Sequence, residues 1–396
     1  MAPEPKRVAA VVTEYRKWSH ADVIVGKILD GYHHDGKTKP NLKLVSLYTD
    51  QVPKNDMSRD LAKKHGFKIY PSISECLTLG GKKLAVDGVL IIGEHGMYPD
   101  NEIGQKLYPR RKFFEEVVNT FEACGSVCPI LNDKHLAAVW DDAKWMYDTA
   151  AKKMIPFMAG STIPLTWRKP DYQLSLKSNI VSAIQLGYGP FEGYGFHAIE
   201  GLQCMLERRA GGETGVAAVT CLQGQAMFDA LDKLPNSKAI LQSAIEIVPA
   251  HAKGDYRSIC IKDKQAGVFL IEYRDGLTAA VAMLNGFLYE GDGGAFIFSG
   301  MLKDDDTPKA TQFYLQQPDP FGHFAYFVKG FESMLNTQHA PYPVERTLLT
   351  TGILDAVMRS KHAGGKRIET PHLKIIYQPS KWMHAQDPIP KPQPKK

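Results

Sequence analysis

Residues 127 to 160, VCPILNDKHLAAVWDDAKWMYDTAAKKMIPFMAG, read in succession as strand, helix and strand. VCPILN (127 to 132) is a short apolar run, DDAKWMYDTAAKK spaces its apolar residues as a helix does, and IPFMAG (155 to 160) is a second apolar run. Two buried-strand patterns joined by an amphipathic helix make a βαβ unit with parallel strands. The same alternation runs back to the start of the chain: RVAAVVT (7 to 13), ADVIVGKILDGY (21 to 32), LKLVSLYTD (42 to 50), a helical stretch around MSRDLAKKHG with Gly66 as its stop signal, VDGVLII (86 to 92) and RRKFFEEVVNTFEACG. An α/β, doubly wound parallel sheet of Rossmann type is expected over residues 1 to 162.

After the Pro-bearing connection STIPLTWRKP (161 to 170) the pattern changes. SICIKD, GVFLIEY, LTAAVAML, GAFIFSGML and TQFYLQQ follow one another between residues 258 and 317, separated by Gly, Asp and Pro, as consecutive antiparallel strands do. FGHFAYFVKGFESMLN and VERTLLTTGILDAVMRSK then read as helices. Residues 163 to 380 are therefore expected to form an α+β domain with a large, mostly antiparallel open sheet, for substrate binding and oligomerisation. The Pro/Lys-rich residues 381 to 396 are expected as a flexible tail.

Composition narrows the function classes. A chain of 396 residues with 44% hydrophobic and 23% charged residues is long enough for two cores. Its net charge of +5 is spread along the sequence apart from the terminal KPQPKK, which gives no footprint for nucleic acid. None of the six cysteines forms a Cys-x-x-Cys, and the nearest pair, Cys124 and Cys128, reads as buried thiols. A reducing, cytoplasmic setting fits, with no secretory signal at the N-terminus and no apolar run long enough to span a membrane.

Two motifs carry the chemistry: NDKHLAA (132 to 138) at the end of a strand, and GYGFHAIEGLQCML (193 to 206) on a helix. With them, and over nearly its whole length from RVAAVV to HLKIIYQP, the chain resembles the glucose-fructose oxidoreductase, inositol dehydrogenase and rhizopine-catabolism (Gfo/Idh/MocA) family, as a divergent member. In that family the fifth strand ends in Glu-Lys-Pro before a leucine-alanine pair; here Asp133, Lys134 and His135 stand there. The family's Asp-x-x-x-His-x-x-Asp helix start becomes Gly193, His197 and Glu200, and VERTLLTTGILDAVMRSKHAGGKRIETP resembles its closing helix and strand. The resemblance implies an NAD(P)-dependent oxidoreductase acting on a sugar, sugar acid or cyclic polyol. His197 would take the hydroxyl proton as hydride leaves, with Lys134 beside the developing alkoxide.

The departures are as informative. Gly193 stands where the family carries a catalytic aspartate, and Glu192 lies one position away. The turn after the first strand, Val12-Thr-Glu-Tyr-Arg-Lys-Trp-Ser-His20, has none of the glycines that let backbone amides approach a pyrophosphate. Thr13, Arg16 and Ser19 are the residues there that could serve a phosphate, or line a sugar pocket in its place. Asp50 takes the place of a ribose-binding acid, or merely begins a turn. Glu94, His95 and Tyr98 in GEHGMYPDNE belong to the loop expected over the nicotinamide. The expected cofactor residues are Thr13, Arg16, Ser19, Asp50, Glu94 and Asp133, for NAD or NADP. The expected substrate residues are His95, Tyr98, Glu192, Glu200 and Arg168. Alternatives are a sugar-active lyase, epimerase or hydrolase using a tightly bound NAD or a divalent metal on His20, His95, His197 and Glu200, and a non-catalytic sugar-binding or assembly protein. A homodimer or homotetramer is expected through GVFLIEY and GAFIFSGML, with a small-molecule carbohydrate as the other partner.

Overall fold

The computed structural model describes residues 4–289, 294–317 and 319–391. Strands β1 (Lys6–Val12), β2 (Leu42–Thr49), β3 (Lys68–Ile69), β4 (Gly88–Ile92), β5 (Ile130–Asp133) and β6 (Phe157–Gly160) pair in parallel in the order β3-β2-β1-β4-β5-β6. Val8 to Val12 are all fully buried, so β1 has no solvent face and must lie mid-sheet, covered on both sides. The strand order reverses between β1 and β4. That reversal opens a crevice at their C-terminal ends, where the turn from Thr13 and the loop from Glu94 begin. Helix Ser58–His65 ends at Gly66 in the left-handed conformation, as the sequence predicted.

The second sheet contains β7 (Trp167–Lys169), β8 (Ile180–Gly187), β9 (Val216–Leu222), β10 (Gly267–Tyr273), β11 (Thr278–Met283), β12 (Ile297–Leu302), β13 (Lys309–Tyr314) and β14 (Ile368–Glu369). Its order is β14-β9-β10-β11-β8-β12-β13-β7, antiparallel except where β11 meets β8. Helix Gly193–Leu206 lies on one face between the sheet and helix Glu345–His362, which buries all but its ends.

Three expectations are corrected. SICIKD is not a strand but part of helix Tyr256–Lys262, started by the Asp255 carboxylate accepting from the Ser258 N–H at 2.9 Å. GAFIFSGML does not present an apolar face to solvent. The run from Ala295 to Met301 is buried on both faces of the sheet, where helix Ser237–Glu246 packs on β8, β12 and β13, whereas Leu270 and Glu272 of β10 stay half-buried. Residues 381–391 are attached rather than a free tail: Ala385 N–H donates to Leu165 O at 2.9 Å and Trp167 Nε1 to Asp387 O at 2.6 Å. Residues 392–396 lie outside the described residues. No described helix is long and apolar enough to cross a membrane.

Candidate active site

A cavity of about 620 Å³ opens between residues of the first and second domains. The first domain lines it with Trp18, His20, Val23, Glu94, His95 and Lys134, the second chiefly with Tyr188, Tyr194, His197, Phe296, Gln317, Phe321, His323 and Phe324. Its size is that of a small-molecule site, and its aromatic walls with a few polar groups suit a hydroxylated ring that has one apolar face.

Lys134 reaches this cavity because the chain turns sharply after β5. Its φ is 69°, and its N–H donates to Gly160 O at 3.0 Å, which ties the turn to the end of β6. The ammonium lies 3.5 Å from Glu94 Oε1, and Arg110 Nη2 meets Glu94 Oε2 at 2.5 Å. Burial pushes the Glu94 carboxyl up, but Lys134 and Arg110 outweigh it and hold the group well below the usual carboxylate range. Arg110 continues to His135 Nε2 at 3.0 Å, and Glu192 Oε1 lies 3.2 Å from the same nitrogen. Glu192, at the N-cap of its helix, thus faces His135 and does not take the place of the aspartate absent at Gly193.

His197 Nδ1 is 2.5 Å from Ser161 Oγ, a hydroxyl that can donate or accept and so follow either tautomer. Burial first, then the nearby Lys134, holds this imidazole well below its ordinary value, so at neutral pH it is uncharged. Glu200 does not reach the cavity. It is 1% exposed, accepts from Thr350 Oγ1 at 2.6 Å and from Ser161 N–H at 3.3 Å, and thereby positions the serine behind His197. A β-carbon on Gly160, whose φ is 124°, would fall 2.8 Å from both Glu200 Oε2 and Thr347 Oγ1. Gly160→Ala is therefore expected to cost about 1–3 kcal/mol in urea unfolding; an unchanged midpoint would show that the serine-glutamate contact is slack.

The turn after β1 is filled by the chain itself. A pyrophosphate at such a turn needs free amides and the helix N-terminus. Here Arg16 N–H donates to Ser19 Oγ at 3.3 Å, Trp18 N–H to the Asp22 carboxylate at 2.8 Å, Ser19 N–H to Arg16 O at 3.0 Å and His20 N–H to His95 Nδ1 at 3.4 Å. Asp22 places an internal anion on the Trp18 amide, Ser19 caps helix His20–Leu29, and Arg16 Nε donates to Glu14 Oε1 at 2.5 Å. Thr13 Oγ1 donates to Glu94 O at 2.6 Å. Both oxygens of Asp50 are taken, by Tyr98 at 2.6 Å and Tyr48 at 3.1 Å, and Gln51 ties the loop down through Met97. These residues do not fit a dinucleotide held in the usual way.

Of the residues singled out in the sequence, His20, His197, Lys134, Glu94 and His95 meet at the cavity. Asp133 stands behind it, bonded to His20. Thr13, Arg16, Ser19, Asp50, Tyr98, Glu192 and Glu200 hold its walls without lining it. Arg168 lies elsewhere, between Pro164 O and the sulfurs of Cys204 and Met205, with its guanidinium over the Phe313 ring. No group of three or more His, Cys, Asp or Glu that could hold a metal ion occurs among the described residues. The sequence reading missed the aromatic walls and His323. The one local signal for them was GHF (322 to 324) opening an amphipathic helix.

No family model and no curated protein matches the chain. Solved structures share its fold. GenD2 from gentamicin A biosynthesis, in complex with NAD, is 14% identical with a TM-score of 0.59 over 93% of this chain and 97% of its own. Apo scyllo-inositol dehydrogenase from Lactobacillus casei is 13% identical with a TM-score of 0.58 over 93% and 99%. Myo-inositol 2-dehydrogenase from Lactobacillus plantarum is 14% identical with a TM-score of 0.54 over 92% and 99%. At these identities the likeness is one of fold.

Proposed function

We propose that the protein is an enzyme acting on a sugar, sugar acid or cyclic polyol, with His197 accepting a substrate proton and Lys134 stabilising the oxyanion that forms. The observation that carries this reading is the convergence of an uncharged imidazole and a buried ammonium on one aromatic-walled cavity. Dehydrogenases of this fold act on inositols, which supports the substrate class. An NAD(P)-dependent oxidoreductase would need its dinucleotide held by groups other than the turn after β1. Proton transfer without net redox, as in an epimerase or lyase, needs no such grip, and the filled turn favours it.

The test is a panel of monosaccharides, uronic and aldonic acids and inositols, followed by proton NMR for conversion, first without cofactor and then with NAD and NADP. Conversion without cofactor is expected, and His197→Asn should slow it about a hundredfold. A panel that neither binds nor reacts, or a His197→Asn variant at full rate, would sink the proposal. Conversion seen only with NAD or NADP would restore the oxidoreductase.

A further inference from the structure

Four imidazoles line the cavity, and their partners differ. His95 receives the His20 N–H on Nδ1, which leaves its own proton on Nε2 as a donor. His197 has a neutral serine. Among the described residues, only His20 of the four has a carboxylate on its ring: Nδ1 lies 2.6 Å from Asp133 Oδ2, and the carboxylate's side chain is 3% exposed. Asp133 ends β5 and His20 begins helix His20–Leu29, so two regular elements fix the pair. The His20 ring is braced edge-on by Phe324 at 5.3 Å, and its side chain is 15% exposed, open to the cavity.

A carboxylate on Nδ1–H fixes the tautomer that leaves Nε2 with a lone pair, and it stabilises the imidazolium formed when that nitrogen takes a proton. We infer that His20, oriented by Asp133, is a second catalytic base of the cavity, acting on a carbon-bound proton of the substrate. This rests on reading the cavity as a proton-transfer site. Its substrate would be a sugar or sugar acid with a carbonyl or carboxylate beside the reacting carbon. The C–H bond breaks, its electron pair enters an enolate whose oxygen faces the Lys134 ammonium, and the proton moves to His20 Nε2. The imidazolium returns the proton to the substrate, so no oxidant or reductant is consumed. The position is one that a dinucleotide would approach, and the filled turn beside it leaves the imidazole clear.

The dyad is tested first without substrate. Intact protein is treated with diethyl pyrocarbonate from about pH 5.5 to pH 9 and each histidine's labelling is followed by peptide mass spectrometry. On the high-pH plateau His20 should label about tenfold faster than His95, and Asp133→Asn should bring it down to the His95 rate. Equal rates, or a His20 rate unmoved by Asp133→Asn, would overturn the dyad. The catalytic role is then read in deuterium oxide with a sugar that the protein converts. His20→Gln should lose carbon-bound deuterium incorporation by about a hundredfold while Kd for the sugar stays within about threefold. Full incorporation in His20→Gln would overturn the role of His20 even where His197→Asn is inactive, so this failure is distinct from failure of the cavity assignment.

Discussion

Acidification from pH 6.5 to pH 4 should cost the protein on the order of 5 kcal/mol of folding stability, beginning well above the range in which carboxylates protonate. Four imidazoles in or behind the cavity are responsible. Burial pushes His95 and His323 down to about 3, and lowers His135 and His197 as well. The unfolded chain binds a proton at each near pH 6.5, whereas the folded protein binds it only at lower pH. Between those limits the unfolded state holds more protons, so stability is complete above pH 6.5 and falls as pH drops. Each such group contributes about 1.4 kcal/mol per pH unit at most, and partial exposure of His95 and His197 reduces the sum. Glu94 adds a loss in the same direction below its ordinary range, since its depressed value stabilises the fold only while the unfolded carboxyl is ionised. Urea midpoints at intervals between pH 7 and pH 4 read the slope, and His323→Phe should lower it by about one proton. Flat midpoints down to about pH 4.5 would mean that these rings protonate in the folded state and that the cavity is wetter than its walls imply.

The first domain was legible because parallel strands are covered on both faces and announce themselves as apolar runs, as Val8 to Val12 do. The second was legible only in outline. The six residues of SICIKD are too few to separate strand from helix by period, and the decisive signal was Asp255, three residues ahead of the run. The polar half of the site could be read because Lys134 and His197 sit in motifs, whereas Tyr188, Phe296 and the Phe321–Phe324 stretch are far apart in sequence and meet only in the folded chain. Arg168 misled because an arginine near a domain junction looks available to a ligand. In the fold its guanidinium is consumed by a backbone carbonyl, two sulfurs and an aromatic ring.

The most damaging single change at the site should be Arg110→Met, with an expected loss of about 3–5 kcal/mol. The Arg110 side chain is wholly buried, lies over the Tyr108 ring at 5.0 Å and joins Glu94 to His135. Gly93 exists to let it pass: a β-carbon there would stand 2.6 Å from Arg110 Cγ. Methionine can fill much of the volume, but it strands the Glu94 carboxylate with Lys134 as its remaining cation. A buried charge that loses one of its two cations is what makes breaking such a pair costlier than never having built it. The Lys134 ammonium is then drawn toward Glu94 and away from the cavity, so turnover should fall with stability. Adding Glu94→Gln to Arg110→Met removes the stranded charge and should recover about 1–3 kcal/mol. Chemical unfolding of the two single variants and the double variant completes the cycle. Strict additivity would show that the carboxylate draws its stability from Lys134 and solvent, and that Arg110 does not hold the electrostatics of the cavity in place.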